Sequence, residues 1–219
     1  PMDEVAKLAA LQGADVRDAK RRLAYEVTRT LHGEQAANEA EKAAIARLCA
    51  AEIPNNSSVL LNIGTSTEAV AVELLGHENL TVITNNLNVA SILLPNPEIS
   101  VILAGGEVRN RDGGIVGEAT LDFIKQFRLD FGILGISGID YDGSLLDFDY
   151  HEVRVKQAII ENSRSVFLAV DHSKFGRNAM VKLGNITQIH TLFTDQAPPT
   201  EIQDILKEHQ IPVEVAASI

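Results

Sequence analysis

Short apolar runs constrain the fold of this chain most strongly, because they recur along it with helical segments between them. Each run has four to six residues, which is the length of a buried strand. They are Val59–Ile63, Leu80–Thr84, Ser100–Ala104, Phe131–Ile136, Ser165–Val170 and Thr191–Thr194. Residues 67–75 and 89–94 have helical spacing. This alternation predicts an α/β fold with a mostly parallel sheet and helices on both faces.

The first 53 residues have a different pattern. They contain no strand-like run and are rich in Ala, Glu, Lys and Arg, which are strong helix formers. Gly13 and the pair His32-Gly33 interrupt this pattern. The sequence therefore predicts an N-terminal helical segment in front of the α/β domain.

A glycine and three hydroxyl residues follow the first predicted strand, as Gly64-Thr65-Ser66-Thr67. Glycine permits a tight turn, hydroxyls donate hydrogen bonds, and the N-terminus of the following helix presents unbonded N–H groups. This chemistry favours an anion site, and a small phosphorylated molecule is the expected ligand. An ordinary N-cap would have the same residues, so the motif alone leaves both interpretations open.

Polar segments also follow the other predicted strands. They are Thr84-Asn85-Asn86, Gly105-Gly106-Glu107, Gly135-Ile136-Ser137-Gly138, Asp171-His172-Ser173-Lys174 and Thr194-Asp195. Parallel sheets bind ligands at the carboxyl ends of their strands, so we expect these segments to meet in one crevice. Lys174 would supply a compact cation for an anionic ligand.

Charge and cysteine content restrict the function. The net charge is −11, with 30 acidic and 19 basic residues, so the chain is poorly suited to grip a nucleic acid backbone by itself. The single cysteine, Cys49, excludes an internal disulfide and fits the reducing cytoplasm. No apolar run is long enough to span a membrane. The histidines lack zinc-ligand spacing and the glycines form no dinucleotide fingerprint, so we expect neither a metal nor a cofactor.

Four further motifs, together with the strand-end segments, carry a family resemblance. They are Val82-Ile83-Thr84-Asn85-Asn86-Leu87-Asn88-Val89-Ala90, Ile102-Leu103-Ala104-Gly105-Gly106-Glu107, Asp112-Gly113-Gly114-Ile115-Val116-Gly117-Glu118-Ala119 and Asp171-His172-Ser173-Lys174-Phe175-Gly176-Arg177. In this order they resemble the effector-sensing domain of the DeoR family of bacterial transcriptional repressors. The resemblance covers residues 41–219.

The resemblance implies the fold shared by ribose-5-phosphate isomerase and the CoA-transferases, and a phosphorylated polyol or sugar as effector, with glycerol 3-phosphate first. It assigns the phosphate to Gly64, Thr65, Ser66, Thr67 and Lys174. It assigns the carbon chain and its hydroxyls to Thr84, Asn85, Gly105, Gly106, Asp147 and Glu152. In this family the effector alters a homo-oligomer, expected here to be a dimer or tetramer, and so releases operator DNA.

The N-terminal part departs from the family pattern. DeoR repressors begin with a winged helix-turn-helix, whereas the basic cluster Lys20-Arg21-Arg22 is flanked by acidic residues and fits a solvated helix face. Residues 1–40 instead resemble the helical segment before the RNA-binding module of tyrosyl-tRNA synthetases. We therefore expect a fused helical appendage over residues 1–40, a sensing domain over 41–219, and operator contact only through an absent DNA-binding domain.

Two other functions are compatible with parts of the sequence. A sugar-phosphate isomerase would use Glu152 as the base and Lys174 as its electrostatic partner. The acidic motif of that enzyme is replaced here by Asp140-Tyr141-Asp142-Gly143-Ser144, so we expect no catalysis. A pure oligomerisation module is the other possibility, and it is compatible with an effector that selects one quaternary arrangement.

Overall fold

The computed structural model describes residues 33–216 together with residues 23, 26 and 30. Elements are numbered in chain order within this part. The helices are α1 (Glu34–Ala51), α2 (Thr65–Leu74), α3 (Leu87–Leu93), α4 (Glu118–Ile124), α5 (Tyr150–Asn162) and α6 (Thr200–Glu208). The strands are β1 (Ser58–Leu61), β2 (Leu80–Thr84), β3 (Ile99–Leu103), β4 (Glu107–Val108), β5 (Ile115–Val116), β6 (Leu129–Leu134), β7 (Gly138–Ile139), β8 (Ser144–Asp147), β9 (Ser163–Ala169), β10 (Val181–Asn185), β11 (Thr191–Thr194) and β12 (Val213–Val215).

Seven strands form the main sheet, in the order β12-β11-β9-β6-β1-β2-β3. Every neighbouring pair in this sheet is parallel. From β1 the chain continues through β2 and β3 on one side, and then crosses to β6 on the other side. The switch point of the sheet therefore lies between β1 and β6, and the prediction of a mostly parallel α/β fold is confirmed.

Helices cover both faces of the sheet, which explains the unbroken apolar runs. One face packs against α1, α2 and α3, in a core that includes Val59, Leu61 and Val70. The other face packs against α4, α5 and α6, in a core that includes Leu60 and Val153. Adjacent residues of β1 thus enter opposite cores, because successive side chains of a strand point to opposite faces.

Two small antiparallel sheets accompany the main one. Strands β10, β8 and β7 form a three-stranded sheet, and β4 pairs with β5. Four of these five strands have only two to four residues, too few for an alternating pattern to stand out from loop sequence. The sequence analysis did not predict them. They matter because they place Arg109 and Asp147 beside the main sheet.

Helix α1 begins at the predicted interruption near residue 33. Gly33 has a φ of 89° and stands immediately before the helix, so the break follows from a backbone conformation that glycine adopts without strain. Cys49 lies fully buried in α1, and burial raises the pKa of its thiol. The interruption at Gly13 and most of the segment that resembles the synthetase lie outside the described residues. The domain division at residue 40 stays a prediction.

Candidate functional site

The carboxyl edge of the main sheet brings the predicted polar segments to one side of the molecule. All seven strands are parallel, so the segments that follow β1, β2, β3, β6, β9 and β11 leave the sheet at this edge. The crevice at a topological switch point is the usual ligand site of such sheets. Here that point lies between the ends of β1 and β6, where the Asn62 N–H donates to the Ile133 carbonyl over 3.3 Å.

The turn after β1 leads directly into α2. Gly64 precedes the helix with a φ of 145°, and no side chain of the described residues caps the first N–H groups of α2. Thr67 is fully buried, and its hydroxyl lies 2.7 Å from the carbonyl oxygens of both Asn62 and Gly64. Its hydroxyl hydrogen is therefore donated to the main chain, which shapes the turn. Thr65 is exposed and Ser66 is half-buried.

Two asparagines next to the switch point have unsatisfied polar atoms. The Asn62 side chain is fully buried, and neither its amide nitrogen nor its oxygen has a partner among the described residues. Asn85 donates to the Ile115 carbonyl over 2.9 Å, but its buried oxygen has no partner within the described part. Buried amides without partners cost free energy, so such groups point to a bound water or ligand. The sequence analysis predicted Asn85 but missed Asn62.

The Thr84 hydroxyl forms hydrogen bonds with the main chain and does not face a ligand directly. It is fully buried, donates to the Leu61 carbonyl over 2.8 Å and accepts from the Asn86 N–H over 3.1 Å. These two bonds tie the end of β2 to the end of β1. Thr84 therefore fixes the position of Asn85, the next residue.

The two glycines after β3 differ in the space around them. A Cβ at Gly105 would meet no atom of the described residues within 4 Å. A Cβ at Gly106, where φ is 151°, would lie 2.2 Å from Thr120 Oγ1 and 2.7 Å from the Val116 carbonyl oxygen. Thr120 also donates to the Gly105 carbonyl over 2.8 Å. Gly106 is thus required by close packing against Thr120 of α4 and Val116 of β5, whereas Gly105 borders open space in the described part of the chain.

This difference gives a test of the packing at the edge of the sheet. We expect Gly106→Ala to lower the free energy of unfolding by about 2–4 kcal/mol, because it adds both a backbone clash and left-handed strain. Gly105→Ala, the matched control, is expected to stay within about 0.5 kcal/mol of the parent. Urea unfolding measures both values. Equal stability of the two variants would contradict this account.

Asp147 and Glu152 lie in a cluster of charges at the start of α5. Lys156 is only 2% exposed, and its Nζ lies 2.5 Å from Asp147 Oδ2 and 2.7 Å from Glu152 Oε1. Arg109, from the segment after β4, contacts Glu152 Oε2 over 2.9 Å. Ser137, which follows β6, donates to Asp147 Oδ1 over 2.7 Å. The cluster therefore joins α5 to the segment after β4 and to the end of β6.

These contacts determine the charge of the Asp147 carboxyl. Burial raises its pKa, but the Lys156 ammonium and the hydrogen bonds from Lys156 and Ser137 lower this pKa by more than burial raises it. The net pKa lies below the usual value of an aspartate, so Asp147 is ionised at neutral pH. Both oxygens of Glu152 also bind cations, which leaves this residue badly placed to act as a general base.

Sequence reasoning missed both cations of this cluster. Lys156 follows Glu152 by four residues on one helix, and this spacing is a recognised signal for an ion pair. Arg109 contacts Asp149 over 2.8 Å as well as Glu152, and both partners lie about forty residues farther along the chain. No local pattern indicates such a contact.

The segment after β9 carries Lys174 and a histidine–aspartate pair. Lys174 is 22% exposed, and its Nζ is 3.6 Å from Asp171 Oδ2. His172 Nδ1 lies 2.7 Å from Asp195 Oδ2, and the His172 N–H donates to Asp195 Oδ1 over 2.6 Å. The hydrogen bond with Asp195 raises the pKa of His172 against the opposing effect of burial. Burial raises the pKa of Asp195, but its contacts with His172 lower it more.

Glu41 of α1 stands near this pair. Donor atoms of Glu41, His172 and Asp195 all lie within 4.8 Å of one another, which is compatible with a metal-ligand set. In this structure His172 Nδ1 and Asp195 Oδ2 form a hydrogen bond with each other. The sequence analysis predicted no metal.

The family model and the similar proteins that match this chain agree with each other. Residues 37–196 match the model of the DeoR C terminal sensor domain. The glycerol-3-phosphate regulon repressor of Escherichia coli K12 is 60% identical over 184 residues, which are 84% of this chain and 73% of that repressor. The Haemophilus influenzae protein of the same name is 56% identical over 170 residues, 78% of this chain and 66% of its own length.

Solved structures give likeness at the level of the fold alone. The structure of eIF2B beta from Chaetomium thermophilum has a TM-score of 0.55 and 18% identity, and the match covers 87% of this chain and 67% of that one. Ribose 5-phosphate isomerase A from Neisseria gonorrhoeae has a TM-score of 0.46 and 14% identity, with coverage of 63% and 53%. No helix in the described part of this chain is long and apolar enough to cross a membrane.

Proposed function

Because the chain belongs to the DeoR family of transcriptional repressors, we propose that it binds a small phosphorylated polyol or sugar, with glycerol 3-phosphate as the first candidate. The chain is a sensor domain and not an enzyme, since the relatives that share most of its length are repressors. An isomerase with Glu152 as base does not fit these relatives.

One observation carries the choice of ligand: an uncapped helix N-terminus stands at the switch point of the sheet. The first N–H groups of α2 have no side-chain cap among the described residues, and Gly64 itself has no side chain to supply one. The buried Asn62 side chain, two residues earlier, also has no described partner. Helix N-termini attract anions through free N–H groups and the positive end of the helix dipole. A phosphate would satisfy these donors.

The phosphate end of the proposed site consists of the turn after β1 and Lys174. The main-chain N–H groups of Thr65, Ser66 and Thr67 would donate to phosphate oxygens, as would the hydroxyls of Thr65 and Ser66. Lys174 has a single loose ion pair with Asp171 in the described part, at 3.6 Å, so its ammonium retains donors for a ligand. Gly64 allows the close approach of the backbone to the phosphate.

The polyol end would lie toward the ends of β2, β3 and β6. The Asn85 oxygen, which has no partner among the residues that the structure describes, can accept a hydrogen bond from a ligand hydroxyl. Gly105 leaves space beside it, and Gly106 closes the turn against Thr120. Asp147 and Glu152 would accept hydroxyl donors through lone pairs that Lys156 and Arg109 leave available. Thr84 would act by holding Asn85 in position.

The effector is proposed to regulate by changing the affinity of the repressor for its operator. Coupling between two ligands is reciprocal. If the effector weakens operator binding, the repressor on its operator must bind the effector less tightly than the free repressor does. The net charge of −11 supports operator contact through a domain other than this one. We propose that the sensor domain also joins subunits into a dimer or tetramer, through which the effect is transmitted.

Thermal unfolding with a panel of ligands tests the proposed effector class. Glycerol 3-phosphate, ribose 5-phosphate, inorganic phosphate and glycerol are compared at equal ionic strength. A bound effector at about one hundred times its dissociation constant adds about 2.7 kcal/mol to the free energy of unfolding. We expect glycerol 3-phosphate to raise Tm more than phosphate, and glycerol to leave it unchanged. The proposal fails if no phosphorylated compound raises Tm above the glycerol sample.

A further inference from the structure

Helix α1 places a second lysine at the proposed phosphate site. Lys42 is partly exposed and lies in the third turn of α1, and its Nζ donates to Thr65 Oγ1 over 2.8 Å. Thr65 is the first residue of α2, directly after Gly64. The Lys42 ammonium therefore stands at the uncapped N-terminus where the phosphate is proposed to bind.

The contact with Thr65 leaves most of the binding capacity of Lys42 unused. An ammonium group has three donors and a full positive charge. Its hydrogen-bond acceptor within the described part of the chain is a neutral hydroxyl, which does not compensate the charge. A cation beside a helix N-terminus is electrostatically unfavourable, because both are positive. A dianionic phosphate between them would reverse this, since it attracts both.

The neighbouring residue shows that α1 reaches a second segment of the same edge. Glu41 lies close to His172 and Asp195, and its charge contributes to the raised pKa of His172. His172 begins the short 3-10 helix that ends at Lys174. Consecutive residues of α1 thus face the turn after β1 and the segment after β9. These are the two segments that supply the proposed phosphate contacts.

We propose that Lys42 is a phosphate-binding residue of the effector site, in addition to Lys174. This inference rests on the proposed function, because it names a further residue of the same site. In the bound form Lys42 keeps or exchanges its bond to Thr65 and donates to a phosphate oxygen. Lys42 thereby selects phosphorylated over unphosphorylated ligands, and it attaches the first turns of α1 to the occupied site.

Isothermal titration calorimetry of the full chain with glycerol 3-phosphate tests this role. We expect Lys42→Met to weaken binding about 10- to 100-fold, as for the loss of one charge-assisted hydrogen bond. Lys42→Arg keeps the charge and is expected to recover much of the affinity. Arg47→Met is the matched control, because Arg47 lies on the same helix but pairs with Glu73 over 3.4 Å. We expect that variant to bind like the parent.

Two further measurements separate a phosphate contact from a role in positioning Thr65. Thr65→Val removes the hydroxyl partner of Lys42 but leaves the cation, so we expect it to lose less affinity than Lys42→Met. Competition by inorganic phosphate should weaken in Lys42→Met and persist in Lys42→Arg. The inference is wrong if the parent binds glycerol 3-phosphate and Lys42→Met binds equally well, or if inorganic phosphate competes equally well against the parent and Lys42→Met. Failure of the parent to bind would overturn the proposed function as well.

Discussion

Replacing Lys156 with methionine is expected to lower the free energy of unfolding by about 3–5 kcal/mol. Lys156 is 2% exposed and lies 2.5 Å from Asp147 Oδ2 and 2.7 Å from Glu152 Oε1. Without its ammonium, the buried Asp147 carboxylate loses its nearest counter-charge. A buried charge without a partner is costly, whereas methionine fills a similar volume. Urea unfolding monitored by circular dichroism measures the change.

Two comparison variants isolate the electrostatic cause. Lys182→Met removes an exposed cation of β10, so we expect it to stay within about 0.5 kcal/mol of the parent. The double variant Asp147→Asn/Lys156→Met also removes the charge that the single variant leaves uncompensated, and we expect it to regain part of the lost stability. A single variant Lys156→Met as stable as Lys182→Met would show that the pair contributes nothing.

Replacing Lys174 with methionine is expected to weaken glycerol 3-phosphate binding about 10- to 100-fold, with little effect on stability. The Lys174 side chain is 22% exposed, and its ion pair with Asp171 is long at 3.6 Å, so the fold depends little on it. A phosphate dianion would gain a charge-assisted hydrogen bond from the same group. Isothermal titration calorimetry gives the affinity, and a urea series gives the stability.

Lys207→Met provides the matched control for net charge. Lys207 lies in the last turn of α6, and the chain then passes through residues 209–212 into the start of β12. Lys207 therefore stands toward the amino edge of the sheet. Its loss is expected to leave the affinity unchanged. If both variants weaken binding equally, the effect is a general one of net charge, and the assignment of Lys174 to the phosphate is wrong.

The central sheet was predictable because its strands are buried on both faces. The run Leu80–Thr84 coincides with β2, and Thr191–Thr194 coincides with β11. The predicted run Phe131–Ile136 starts and ends two residues later than β6, since apolar residues continue beyond the last ladder bond. A parallel register then fixes which ends of the strands share an edge, so the convergence of the polar segments followed from the sequence.

The charge cluster and the role of Asn62 were not predictable in the same way. Arg109 meets Glu152 only because the β4–β5 hairpin folds back over the start of α5, and no local pattern records that contact. Asn62 stands out only once its burial and the lack of a partner in the described residues are known. The contact of Lys42 with Thr65 likewise depends on how α1 packs against α2.

The central claim is that a phosphorylated polyol binds with its phosphate at the start of α2. A titration of the isotope-labelled chain with glycerol 3-phosphate, followed by amide nitrogen–proton NMR, tests it most directly. We predict the largest shifts at the N–H groups of Thr65, Ser66 and Thr67, and no such shifts with glycerol. Shifts centred elsewhere, or equal shifts with glycerol, would contradict the claim.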